Sequence, residues 1–135
     1  MLLESGSGFS FVGNQYKITV GDEDFYIDLL FYHIKLKCYI AVELKVGKFK
    51  PEFGSKMGFY LTALDEQVKD DNDNPSIGII LCSSKNNQIV DYTLKYINKP
   101  VGVSEYKIFN ELPDNLLKDF PTEDEINLYM DIDEE

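Results

Sequence analysis

The sequence predicts an α/β (α+β) domain with a mixed central sheet flanked by helices. Three observations carry this expectation. Residues 9–46 hold three strand patterns in succession, joined by short turns, which favours an antiparallel meander. Residues 52–69 place Phe53, Met57, Tyr60, Leu61 and Leu64 at a helical period. Residues 76–82 (SIGIILC) form a near-continuous apolar run, as expected of a strand covered on both faces and placed centrally.

Taken in order, residues 1–5 (MLLES) read as the end of a short helix closed by Gly6 and Gly8. Residues 9–20 read as a strand interrupted at Gly13-Asn14, and Gly21-Asp22-Glu23 as a solvated turn. Residues 24–33 (DFYIDLLFYH) and 38–46 (CYIAVELKV) are rich in β-branched and aromatic residues without Pro or Gly. Gly47 and Pro51 end that strand. Residues 70–74 (DDNDN) form a polar loop; their spacing lacks the closing Glu of a calcium loop. A second helix is expected over 87–97 and a last strand over 101–108, with Leu112-Pro113-Asp114 opening a short helix or turn. The core domain is expected over 1–110, with an acidic extension over 111–135.

The pairing of the second and third strands can be worked out from the turn. The four-residue connection Ile34–Lys37 sets His33 against Cys38, so that opposed positions sum to 71. Asp28 and Glu43 also sum to 71 and fall opposite each other, with Cβ atoms roughly 4.5–5.5 Å apart. Side chains alternate along a strand, so Glu43 and Lys45 share a face and Leu44 points away. Asp28, Glu43 and Lys45 therefore converge inside otherwise apolar strands. A slip of one residue would separate them.

Charges in such a setting are costly unless they are paired or hold a metal. Two opposed carboxylates repel unless a cation lies between them, and hard oxygen donors suit Mg²⁺ or Mn²⁺. An adjacent ammonium can contact an anionic substrate or a water. The set describes metal-assisted phosphodiester hydrolysis. The plain alternative is a cross-strand ion-pair cluster.

Composition limits the reading. The formal charge is −11, and there is no Arg. Residues 111–135 carry ten acidic residues and one Lys, so residues 1–110 are nearly balanced at −2. Phosphate contacts must then come from Lys, backbone N–H groups or polar side chains, which argues against base-specific readout. No signal-peptide pattern opens the chain and no apolar stretch is long enough to span a membrane. Cys38 and Cys82 are expected as free, buried thiols, in keeping with a cytoplasmic setting.

The stretches GFSFVGNQY (8–16), DFYIDLLFYH (24–33), CYIAVELKVGKFKPE (38–52), MGFYL (57–61), DNPSIGIILC (73–82), NKPVGVSEY (98–106) and LP (112–113) occur in an order that resembles the PD-(D/E)XK, restriction-endonuclease-like superfamily. More closely, they resemble the C-terminal nuclease domain of YhcG-type proteins. The resemblance covers nearly the whole chain. It implies an αβββαβ core and a metal-dependent nuclease acting on DNA; RNA as substrate and a homodimer as assembly stay open beside it. It also implies an N-terminal region that this chain lacks. Asp28 matches the metal-binding Asp of the superfamily, and Glu43 and Lys45 match its (D/E)xK pair. Leu44 would offer its backbone carbonyl to the metal, Glu4 would complete the site from the first helix, and Lys56 would contact phosphate. The proline that often precedes the Asp is replaced here by Ile27.

Other polar residues have plainer readings. Gln15, on the neighbouring strand, lies within reach of a substrate phosphate, although a satisfied strand amide is the simpler account. His33 is five residues from Asp28, on the opposite strand face, and reads as structural. Tyr26 and Tyr32 are expected to pack against the first helix. Two rival functions remain beside the nuclease: a non-catalytic interaction module, and a nuclease active only with an N-terminal region or partner.

Overall fold

A computed structural model describes residues 8–106, together with the backbone of Leu3–Glu4. The elements are β1 (Leu3–Glu4), β2 (Phe9–Val20), β3 (Glu23–His33), β4 (Cys38–Lys48), α1 (Pro51–Gln67), β5 (Ile77–Ser84), α2 (Asn87–Tyr96) and β6 (Val101–Glu105). The six strands form one sheet in sequence order. Strands β1 to β4 pair antiparallel, and β4, β5 and β6 pair parallel.

Local chemistry explains the connections. Gly21 and Asp22 both adopt positive φ, 58° and 71°, giving the two-residue hairpin whose twist suits antiparallel strands. The next hairpin closes at His33↔Cys38, with Lys37 donating its N–H to the His33 carbonyl. Pro51 opens α1, where its missing N–H costs nothing. The Asn86 side chain caps α2 by accepting from the N–H groups of Gln88 and Ile89.

Both parallel crossovers, β4–α1–β5 and β5–α2–β6, step across the sheet in the same direction. Right-handed connection then sends both helices to one face. They meet there closely. A Cβ built on Gly54 of α1 would approach Thr93 Cγ2 at 2.7 Å and Ile97 Cδ1 at 2.8 Å. Beneath them lies a core of Ile18, Ile27, Leu30, Ala41, Met57, Tyr60, Leu61, Leu64 and Ile80. The opposite face carries a second buried cluster that includes Phe9, Leu29, Phe31, Val42 and Leu81. Strand β5 contributes to both clusters, as its continuous apolar run requires. It is interior rather than central, one strand in from the β6 edge.

The expected first helix is not found at Leu3–Glu4. These residues pair antiparallel with Phe11 and Ser10 at the edge of β2. A two-residue segment has no helical period to read, and its partner is a distant edge whose backbone groups need pairing. Tyr26 and Tyr32 do not pack on a first helix either. Tyr26 is half exposed, and Tyr32 donates to Asp73 Oδ1 and stands edge-on to Tyr39. Residues 107–108 of the expected last strand, 109–110 of the expected core domain and the extension 111–135 lie outside the described residues. Among the described residues, no helix is long and apolar enough to cross a membrane.

Candidate active site

The ladder between β3 and β4 runs from His33↔Cys38 to Leu29↔Val42 and stops. This is the register in which opposed positions sum to 71, and the next opposed pair is Asp28 and Glu43. Here carboxylates replace the ladder bonds. The Asp28 N–H donates to Glu43 Oε2 at 2.8 Å, and the Leu44 N–H donates to Asp28 Oδ2 at 2.9 Å. Past this point β3 continues beside β2 as far as Val20↔Glu23, while β4 continues beside β5 to Lys48↔Ser84. The sheet forks at the two acids. Each carboxylate satisfies a backbone N–H that the fork would otherwise leave unpaired.

Glu43 is buried at 4 % exposure, and Asp28 is half buried. Burial pushes the Glu43 carboxyl up to about 7, opposed by the Asp28 N–H and reinforced by the Asp28 charge. Lys45 and Lys56 act in the other direction, favouring the ionised form. Lys45 Nζ lies 3.7 Å from Glu43 Oε1 and 5.1 Å from the centre of the Phe53 ring. The ring and the carboxylate thus hold the ammonium from two sides. Leu44 packs on the opposite face, as the alternation requires.

Helix α1 covers this face. Phe53, Lys56, Met57 and Tyr60 follow one another at spacings of one, three or four, on one side of the helix. Lys56 is exposed, with Nζ 5.7 Å from the centre of the Tyr60 ring. Tyr60 is buried and donates to the Tyr26 carbonyl at 3.1 Å. Burial, then the charges of Glu43 and Asp28, raise its hydroxyl to about 12, so it remains a donor. Phe53 and Tyr60 were legible in the sequence only as apolar helix positions. Their i−3 and i+4 relation to Lys56, set beside the acidic hairpin, is the signal that could have marked them.

Gln15 lies opposite Asp28, between the pairs Asn14↔Leu29 and Tyr16↔Ile27. Its backbone is in the left-handed region at φ 47°, and its Nε2 donates to Asp28 Oδ1 at 3.2 Å. A non-glycine residue there stores about 1 kcal/mol of strain. The structure therefore brings together Asp28, Glu43, Lys45 and Gln15, with Lys56 at the rim.

Glu4 is not brought to this cluster by its backbone. It pairs with Ser10, which pairs with Tyr32, four residues along β3 from Asp28 and roughly 13 Å away along the strand. Its side chain lies outside the described residues. His33 is at the far end of the hairpin. It is buried, accepts from the Leu36 N–H through Nδ1, and meets the Phe9 ring edge-on. Cys38 and Cys82 are free and buried.

The donor set fits a small hard cation. Among the described residues no group of three or more His, Cys, Asp or Glu side chains is positioned for a metal. Two adjacent carboxylates nonetheless suit Mg²⁺, which keeps much of its hydration and takes only one or two carboxylates. Each carboxylate oxygen has a second lone pair beyond the single hydrogen bond or ion pair described above.

Comparison with known proteins gives a consistent result. The model of the YhcG PDDEXK nuclease domain matches residues 1–121. The Escherichia coli (strain K12) protein called "Putative nuclease YhcG" is 40% identical over 113 residues, which is 84% of this chain. The match spans 30% of that protein's length. A crystal structure of a repair endonuclease from Pyrococcus abyssi shares the fold with a TM-score of 0.53 at 16% identity, over 73% of this chain and 38% of the other. With the family model covering most of its length, the chain belongs to the YhcG PDDEXK nuclease domain family.

Proposed function

We propose that the domain hydrolyses DNA phosphodiester bonds with the help of Mg²⁺ or Mn²⁺. The observation that carries this reading is the fork at Asp28 and Glu43. Two carboxylates are fixed there by backbone N–H groups, with an ammonium 3.7 Å from one of them. Asp28, Glu43 and the Leu44 carbonyl would hold the cation. When bound, it would supply a Lewis acid for the phosphoryl oxygen and a lowered pKa for the attacking water. Lys45 orients that water or the scissile phosphate, and its seat between Phe53 and Glu43 limits how far it can wander. Gln15 holds Asp28 in place through its amide. Lys56, exposed at the rim, neutralises substrate phosphate. Glu4 has no part in this assignment.

The test is cleavage of duplex DNA with Mg²⁺ and with EDTA, for the parent, Asp28→Asn and Lys45→Ala. Metal-dependent cleavage lost in both variants supports the reading. Equal cleavage by Lys45→Ala would remove it. A second form of the reading has one observation in its favour: the chain spans only 30% of the related E. coli protein. Activity would then need an N-terminal region, and the isolated domain would bind Mn²⁺ but cut poorly. A pure interaction module would bind neither Mn²⁺ nor DNA at this fork.

A further inference from the structure

The family reading leaves open how so acidic a chain would grip a polyanion. The segment Lys45–Lys56 stands apart in this respect. It holds four of the thirteen lysines and one glutamate, a local charge of +3 in a chain of −11. Its geometry is also unusual. The β4–β5 register breaks between Lys45 and Lys48, and Val46, inside that break, is 95% exposed. Gly47 takes φ 105°, a conformation that other residues rarely adopt. The break is tied down rather than frayed. The Gly47 N–H donates to Ser83 Oγ at 3.0 Å, and the Phe49 N–H to the Ser84 carbonyl at 2.9 Å. Lys48 pairs with Ser84 across the strands, and Lys48 and Lys50 are both exposed.

A bulge turns side chains away from the regular pleat, and bulges gather next to active sites. This one follows directly on Lys45. It lifts a β-branched apolar side chain into solvent and flanks it with ammonium groups. A solvated lysine loop would explain the charges but not an anchored bulge that presents Val46. An acidic protein partner would use the same charges, yet this ridge adjoins Lys45, where a scissile phosphate would lie.

We propose that Val46, Lys48 and Lys50 form a substrate-holding ridge: the two lysines take backbone phosphates beside the scissile one, and Val46 lies against the sugar or base between them. The proposal rests on the nuclease reading and adds the surface that holds the DNA. Lysine is suited to this role because it meets phosphate as a point charge and needs no base-specific geometry.

The test is DNA binding as a function of salt. A fluorescent 20-base-pair duplex is titrated with Asp28→Asn protein, in EDTA so that no metal-dependent cleavage intervenes, between 50 and 300 mM NaCl. Removing two phosphate contacts should lower the slope of log K against log salt by about 2. The Lys48→Ala/Lys50→Ala double variant is expected to show that drop and at least tenfold weaker binding at 100 mM. The control Lys35→Ala/Lys95→Ala removes the same charge elsewhere and should keep the parental slope. Val46→Ser should weaken binding about threefold with the slope unchanged and the thermal midpoint kept. If the parent cleaves DNA but Lys48→Ala/Lys50→Ala behaves as the control does, the ridge is overturned and the site reading stands. A parent that neither binds nor cleaves DNA overturns both.

Discussion

Replacing Glu43 by Gln should make the metal-free protein more stable and abolish the proposed cleavage. The carboxyl is buried, and its pKa is raised from 4.5 to about 7. Below pH 4.5 the group is protonated in the folded and unfolded chains alike, and its burial carries no ionisation penalty. As pH rises through about 7 the folded state must ionise a group that the unfolded chain ionises freely. The stability present at low pH is thereby lost. A shift from 4.5 to about 7 corresponds to about 3 kcal/mol at pH 8, to order of magnitude. Gln keeps the shape and can still accept the Asp28 N–H. Thermal melts in EDTA should show Glu43→Gln and parent close together at pH 4. The gap should open between pH 5 and 7 and reach roughly 10 °C by pH 8. Added Mg²⁺ should raise the parent's midpoint alone, because a ligand stabilises only the state that binds it. A gap that does not vary with pH, or a variant less stable than the parent at pH 8, would show that ionising the buried Glu43 carboxyl does not cost the fold stability.

Three further outcomes follow from the same geometry. Asp28→Ala leaves the Leu44 N–H without its acceptor, so it should cost about 1–3 kcal/mol in denaturant melts besides abolishing metal binding. Asp28→Asn, which keeps an acceptor, should lose the metal at much smaller cost. Gln15→Asn suits the left-handed backbone but shortens the amide. Its stability should stay within about 0.5 kcal/mol of the parent while cleavage at saturating DNA falls several-fold. Gly54→Ala gains about 1 kcal/mol of helix propensity but meets Thr93 and Ile97 closer than 3 Å, and it should be net destabilising by about 1–2 kcal/mol in urea melts.

Much of the site was legible because its geometry is local. The hairpin turn fixes the register, and the observed pairs Leu29↔Val42 and His33↔Cys38 are those the turn length requires. Strand alternation then places Glu43 and Lys45 together and Leu44 away. What the sequence left hidden depends on partners far along the chain. Leu3–Glu4 form a strand because an edge of β2 is free to pair with them, which a five-residue reading cannot show. Gln15 was legible as a polar residue on the neighbouring strand, but its hydrogen bond to Asp28 depends on a positive φ and a register shift in β2, neither of which has a side-chain period. Tyr60 and Phe53 read as core residues because what sets them at the site is their position beside two carboxylates and a lysine, not their own chemistry. The fork itself was invisible. The sequence implied that two carboxylates meet, but not that they meet by replacing the ladder bonds between β3 and β4.

The most direct measurement is anomalous diffraction from crystals of the domain soaked in Mn²⁺. A single strong peak is expected at the fork, roughly 2.0–2.2 Å from oxygens of Asp28, Glu43 and the Leu44 carbonyl. The peak should be absent from Asp28→Asn crystals treated in the same way. A fork that stays empty at millimolar Mn²⁺, with Lys45 still resting against Glu43, would contradict the proposed metal site.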